Sequence, residues 1–154
     1  MEYLNLKIQS NFEQDEKLPK ACNLFNKLIE ELKKKDIPLE MKQFINDEIG
    51  SINSFSGSNN EIRKLIRKSQ RKILRKMEKY LKITTKNHYR NLWLALGMSS
   101  FGIPIGVAYG ASIGNMGMLG LGLPIGMGIG IALGNYLDKK ALNAGKQLDV
   151  EIDY

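Results

Sequence analysis

Residues able to do chemistry are few in this chain, and they are scattered. A single cysteine, Cys22, and a single histidine, His88, lie 66 positions apart. One thiol excludes an internal disulfide, and one thiol with one imidazole makes no plausible metal cluster. Cys22 falls on an apolar helical face, the setting of a core cysteine, and a reducing compartment suits it. His88 stands between Asn87 and Tyr89 at the edge of a long uncharged stretch, where an interfacial role is the default. Gly128-x-Gly130-x-x-x-Gly134 resembles a phosphate-cradling loop. Such loops follow a strand, open a helix within a βαβ unit and, in the Walker form, end in Lys-Ser/Thr. Continuous apolar flanks and the missing Lys-Ser/Thr argue against that use. No nucleophile is set beside a base, so the expectation is no catalytic residue, no metal, no cofactor and no small-molecule ligand: not an enzyme.

Two other patterns are dense enough to mean something. GIPIGVAYGASIGN (102–115) and GLPIGMGIGIALGN (122–135) both fit G-[IL]-P-I-G-x-x-x-G-x-x-x-G-N. Gly102, Gly106, Gly110 and Gly114 follow one another at four-residue steps, as do Gly122, Gly126, Gly130 and Gly134. Four residues turn a helix by about 400°, so each set lines one face with a slow drift. In lipid, where hiding apolar side chains gains little, close backbone approach drives helix association, and small residues permit it. Such a face serves equally for packing the two helices of one chain or for contacts between chains. Pro104 and Pro124 occupy matching places in the repeat, and each is expected to kink its helix by removing a backbone hydrogen bond.

The second pattern is basic. EIRKLIRKSQRKILRKMEKYLKI (61–83) has Arg-Lys pairs beginning at Arg63, Arg67, Arg71 and Arg75, which adds Lys64, Lys68, Lys72 and Lys76. The window 61–90 carries twelve Lys/Arg and two acids, a net +10, whereas the whole chain is +7. Juxtamembrane cations are drawn to anionic lipid by about 1 kcal/mol each. A basic amphipathic helix beside a span is therefore expected on the cytoplasmic leaflet, with Arg90, Lys139 and Lys140 also at headgroup level. A solvated or coiled-coil arm ranks second. Nucleic-acid binding ranks third: phosphate contacts need only a cationic track, but no aromatic platform accompanies it.

The elements that must carry these patterns follow from periodicity and charge. From 91 to 137 there is no Asp, Glu, Lys or Arg, and 12 of the 15 glycines fall there. A bilayer core of about 30 Å takes about 20 helical residues, so 47 suit two spans, at 92–113 and 116–137. Gly114-Asn115 forms the turn, with Trp93 and Tyr136 as interfacial rings. Lys86 and Arg90 before the first span, and Lys139 and Lys140 after the second, predict both termini on the cytoplasmic side. The opening residues form no continuous apolar core, so no signal peptide is expected there.

Upstream, Leu18, Ala21, Cys22, Phe25, Leu28, Ile29 and Leu32 predict a helix over 17–36. Met41, Phe44, Ile45 and Ile49 predict a second over 39–49. SINSFSGSNN (51–60) reads as a linker, and Asn60 as the cap of a third helix over 61–83. Leu65 and Leu81 join Ile62, Ile66, Ile73, Leu74 and Met77 in its apolar stripe. Alternation at Leu4–Gln9 and at Leu148–Tyr154 permits short terminal strands that could pair with each other, although two strands alone are marginal.

The resulting expectation is a mainly all-α membrane protein. It divides into a cytoplasmic helical region (1–60), a basic amphipathic juxtamembrane helix (61–90), a transmembrane hairpin (91–137) and a cytoplasmic tail (138–154). The glycine pattern over 102–135 resembles that of glycine-zipper membrane proteins, whose GxxxGxxxG faces mediate helix packing and sometimes oligomers or channels. NHYRNLWLALGM and GLPIGMGIGIALGNYLDKKA, within 86–150, also look like segments of small two-span bacterial membrane proteins, a resemblance that brings no activity with it. Together with the residues read above, the expectation is a non-enzymatic protein of the bacterial inner membrane that packs and self-associates through its glycine faces while its basic arm meets anionic lipid. The alternatives are a pore-forming or membrane-perturbing protein and a membrane tether for nucleic acid.

Overall fold

The computed structural model describes residues 2–7 and 17–152, and these are mostly helical. In chain order the elements are α1 (Lys17–Lys33), α2 (Leu39–Asn53), α3 (Asn59–Leu81), β1 (Thr84–Thr85) and α4 (His88–Gly97). A π-helical turn (Met98–Gly102) leads to α5 (Ile103–Ile113), and a 3-10 segment (Met116–Leu121) to α6 (Gly122–Asn143) and β2 (Gln147–Leu148). The chain divides into two compact units: Met1–Thr84 with Leu148–Tyr154, and Thr85–Gln147.

The first unit is a three-helix arrangement around a conventional aliphatic core. All seven residues of the α1 stripe are buried, with Leu18, Phe25, Leu28 and Leu32 fully so. Each large side chain of this kind contributes about 1.5–3 kcal/mol by leaving water. Ile45 and Ile49 of α2 and Ile66, Ile73 and Met77 of α3 close the core from the other helices. Phe44, expected in it, is only half-buried, and the Lys76 ammonium sits 3.9 Å from its ring centroid. The apolar stripe of α3 is completed by two polar side chains, Ser69 and Gln70, both buried.

Helix starts and chain ends differ from the expectation in informative ways. α3 begins earlier, because Ser58 rather than Asn60 is its cap. The Ser58 hydroxyl oxygen accepts from the Glu61 amide, and the Glu61 carboxylate accepts from the Ser58 amide at 2.9 Å. This capping box satisfies two amides reciprocally. α2 runs through the first three residues of the expected linker, burying Ile52 as one more turn of its stripe.

Residues 2–7 form no helix and pair with no strand among the described residues. Their backbone is held instead by two asparagines on α2. Asn46 accepts from the Leu4 amide (2.9 Å) and donates to the Glu2 carbonyl (3.0 Å). Asn53 accepts from the Lys7 amide (2.7 Å) and donates to the Asn5 carbonyl (2.9 Å). Each amide side chain thus replaces one rung of a ladder. Ile8 and Gln9 lie outside the described residues. At the other end the alternation holds: Leu148, Val150 and Ile152 are buried while Asp149 and Glu151 face outward. β2, however, is hydrogen-bonded to β1, and Asp153 and Tyr154 lie outside the described residues.

Glu31 fastens this C-terminal segment. Its largely buried carboxylate is hydrogen-bonded by the Lys34 ammonium and accepts from the Asp149 amide at 3.1 Å. The Lys34 bond foremost, then the Asp149 amide, hold its pKa below the ordinary glutamate range. A depressed carboxyl contributes its full stability above the unfolded pKa, about 4.3, and loses it as pH falls through the folded value. Acid unfolding followed by circular dichroism should therefore show a steeper loss below about pH 4.3 in the wild type than in Glu31→Gln. Superimposable acid limbs would refute this role.

Candidate functional site

The second unit inverts the rule that organises the first. Along α4, α5, α6 and the segments joining them, the buried residues among those described are glycines, Gly97, Gly102, Gly106, Gly110, Gly122, Gly126, Gly130 and Gly134, together with Asp138. The large apolar side chains point away. Leu92, Leu96, Phe101, Ile103, Val107, Tyr109, Ile113, Leu121, Ile125 and Leu133 are all exposed. Two helical stretches, His88–Ile113 and Gly117–Asn143, are long and apolar enough to cross a membrane. Only 17% and 22% of their most apolar windows are buried, so neither is a core helix of this unit.

The glycine rows meet face to face. A Cβ at Gly102 would press on the backbone of Gly122 and Leu123, one at Gly126 on Gly97 and Gly102, and one at Gly106 on Leu119. Toward the open end, Gly130 lies against the Trp93 and Leu94 backbone, and Gly134 against that of Tyr89 and Arg90. Within the chain, these faces pack on each other. Gly114 is the exception in its row. It sits in open space with φ 70°, ending α5 in the left-handed conformation that a side chain would strain. Asn115 then caps the 3-10 segment, its side-chain oxygen accepting from the Gly117 amide at 3.0 Å. Gly120 and Gly128, off the four-residue register, also face open space.

Gly97 belongs to the packed face although it precedes Gly102 by five residues, one too many for the register. The π-helical turn between them absorbs the extra residue, with the Ile103 amide donating to the Met98 carbonyl. Its cause is Pro104. Lacking an N–H, and crowding the carbonyl four residues earlier, proline is accommodated by a local widening of the helix. The Ser99 hydroxyl donates back to the Ala95 carbonyl at 3.0 Å and so brings no unpaired polar group to the exposed surface. Pro124 acts differently: it falls in the first turn of α6, after the 3-10 segment, where its missing donor has no intrahelical partner to lose. The matched prolines thus give a π turn in one helix and a helix start in the other.

Asp138, the first charged residue after the uncharged window, closes the hairpin. Asn87 at the start of α4 has φ 59° and makes no side-chain cap. The cap comes from α6: the buried Asp138 carboxylate accepts from the amides of Tyr89 (3.1 Å) and Arg90 (2.9 Å). A carboxylate on a helix N-terminus satisfies orphan donors and opposes the positive end of the dipole. Nothing in the local sequence marks this, because the capping residue lies 49 and 48 positions beyond the two amides it accepts from. α6 itself continues past the expected end at 137 to Asn143, carrying Lys139 and Lys140 on exposed turns. His88 packs edge-on to Tyr89, their ring centroids 5.1 Å apart.

The cations of α3 are not equivalent. Lys72 is bound to Glu48 of α2 at 2.9 Å, Lys76 covers Phe44, and Arg63 donates to Asn60 at 2.8 Å. Lys64, Arg67 and Arg71 line a groove, while Lys68 and Arg75 are exposed. Cys22 is buried in the core, where desolvation pushes its thiol pKa up. Compared with protein-family models, curated proteins and solved structures, the chain matches none of them. What fold and site define is a class only: a mainly helical protein with an aliphatic-core unit and a glycine-packed unit bearing two helices of membrane-crossing length.

Proposed function

We propose that this is a non-enzymatic integral membrane protein, anchored by a two-helix hairpin whose glycine faces close on each other. The observation that carries the reading is the inverted burial of the second unit, with glycine inside and leucine, isoleucine and phenylalanine outside. An exposed apolar surface of that extent is untenable in water and natural in hydrocarbon. Lys86, Arg90, Lys139 and Lys140 flank the hairpin's open end and its turn is uncharged, which favours both termini in the cytoplasm of a bacterial inner membrane. The aliphatic-core unit then lies in the cytoplasm, and the exposed cations of α3 meet anionic headgroups. Self-association would run through the outward side chains, since the glycine rows are filled.

Fractionation tests the reading. The expressed protein should stay with the membrane pellet through alkaline carbonate and enter solution only with detergent. A compact monomer in detergent-free supernatant would end it.

A further inference from the structure

We propose that the groove between α3 and the C-terminal segment is a binding site for a phosphate group. It is about 560 Å³ in volume, and its polar lining is Lys64, Arg67, Gln70, Arg71 and Glu151, on an apolar base of Leu24 and Ile152. Lys64, Arg67 and Arg71 stand at i, i+3 and i+7, the spacing that stacks side chains on one face of a helix. Two guanidinium groups and an ammonium suit phosphate oxygens, since the planar fork of arginine donates two parallel hydrogen bonds and lysine adds a point charge. Among the described residues the lining holds three cations and one acid.

The second observation is Gln70. Its side chain is 4% exposed and lines the groove, yet its Nε2 donates to no group among the described residues. A buried donor without an acceptor is unfavourable, and because the Nε2 atom itself has almost no accessible surface, an anion oxygen in the groove reaches it only once the amide turns outward. The volume exceeds what one phosphate needs and admits the small group esterified to it. Two sources share that chemistry: the headgroup of an anionic phospholipid and a free phosphomonoester. The lipid source rests on the reading that α3 meets the membrane, whereas the free source does not.

The test uses the full chain in neutral detergent. Glycerol 1-phosphate is titrated by calorimetry, and in a second arm nanodiscs of phosphatidylcholine with or without phosphatidic acid replace the detergent. Saturable binding is expected in at least one arm, weakened about tenfold by Arg67→Gln or Arg71→Gln and strengthened by Glu151→Gln. Lys68→Gln and Arg75→Gln, exposed cations outside the groove, should leave glycerol 1-phosphate binding unchanged and weaken binding in the phosphatidic acid discs less than the groove variants do. All five side chains are on the surface, and unchanged helical circular dichroism checks each fold. Binding in the detergent arm supports the free source, and binding confined to phosphatidic acid discs supports the headgroup. Equal weakening by all four cation variants would mean diffuse charge and overturn the groove while leaving the lipid reading intact. No binding in either arm overturns the groove as well, and carbonate extraction, which does not depend on α3, reports separately on the membrane anchor.

Discussion

Gly126→Ala should loosen the hairpin, while Gly128→Ala, the same methyl two residues along α6, should not. A Cβ at Gly126 would lie 2.5 Å from the Gly97 carbonyl oxygen, 2.6 Å from the Gly102 nitrogen and 2.7 Å from the Gly102 Cα. All three are backbone atoms, so no side chain can turn aside and the helices must separate. Overpacking of this kind costs about 1–3 kcal/mol. At Gly128 nothing lies within 4 Å, and alanine there removes a poor helix former at no steric cost. Unfolding of the two variants in the same detergent, followed by helical circular dichroism, reads the difference directly. Indistinguishable variants would mean that the two helices do not pack through these rows.

Asp138→Ala should cost about 1–3 kcal/mol of hairpin stability, because two amides lose the carboxylate they share. The loss is concentrated at the first turn of α4, where hydrogen exchange at Tyr89 and Arg90 should accelerate before the rest of the hairpin changes. Asp138→Asn retains one oxygen acceptor without the charge and should recover part of the protection. This ordering separates capping from a general effect of the acid: if Asn were as damaging as Ala, charge rather than hydrogen bonding would dominate. If neither variant altered exchange at the two amides, the cross-helix cap would be refuted. Both predictions concern contacts within one hairpin, so they hold for a monomer and for any assembly built from it.

Much of the fold could be read along the chain because its signals are local. The α1 stripe from Leu18 to Leu32 has a three- and four-residue rhythm that only a helix can turn into one buried face. Ser58 and Glu61 announce a helix start as plainly as any residues here, a capping box that begins two residues before the expected cap at Asn60. The basic face of α3 was equally visible, but its division was not. Lys72 and Lys76 are drawn into contacts with Glu48 and Phe44, which lie 24 and 32 positions away.

The amino-acid order alone determined the uncharged window, the two glycine rows and the sites of helical weakness at Pro104 and Pro124, since composition and period are properties of neighbours in the chain. Tertiary structure decided what those features do. It set the glycine rows against each other, drew Gly97 into register through a π turn, gave α4 its cap from Asp138 and left the N-terminal residues to Asn46 and Asn53 rather than to a strand. Each of these depends on backbone groups finding partners tens of residues distant. A hydrogen bond or a close approach needs a position in space, and periodicity carries only a direction around an axis.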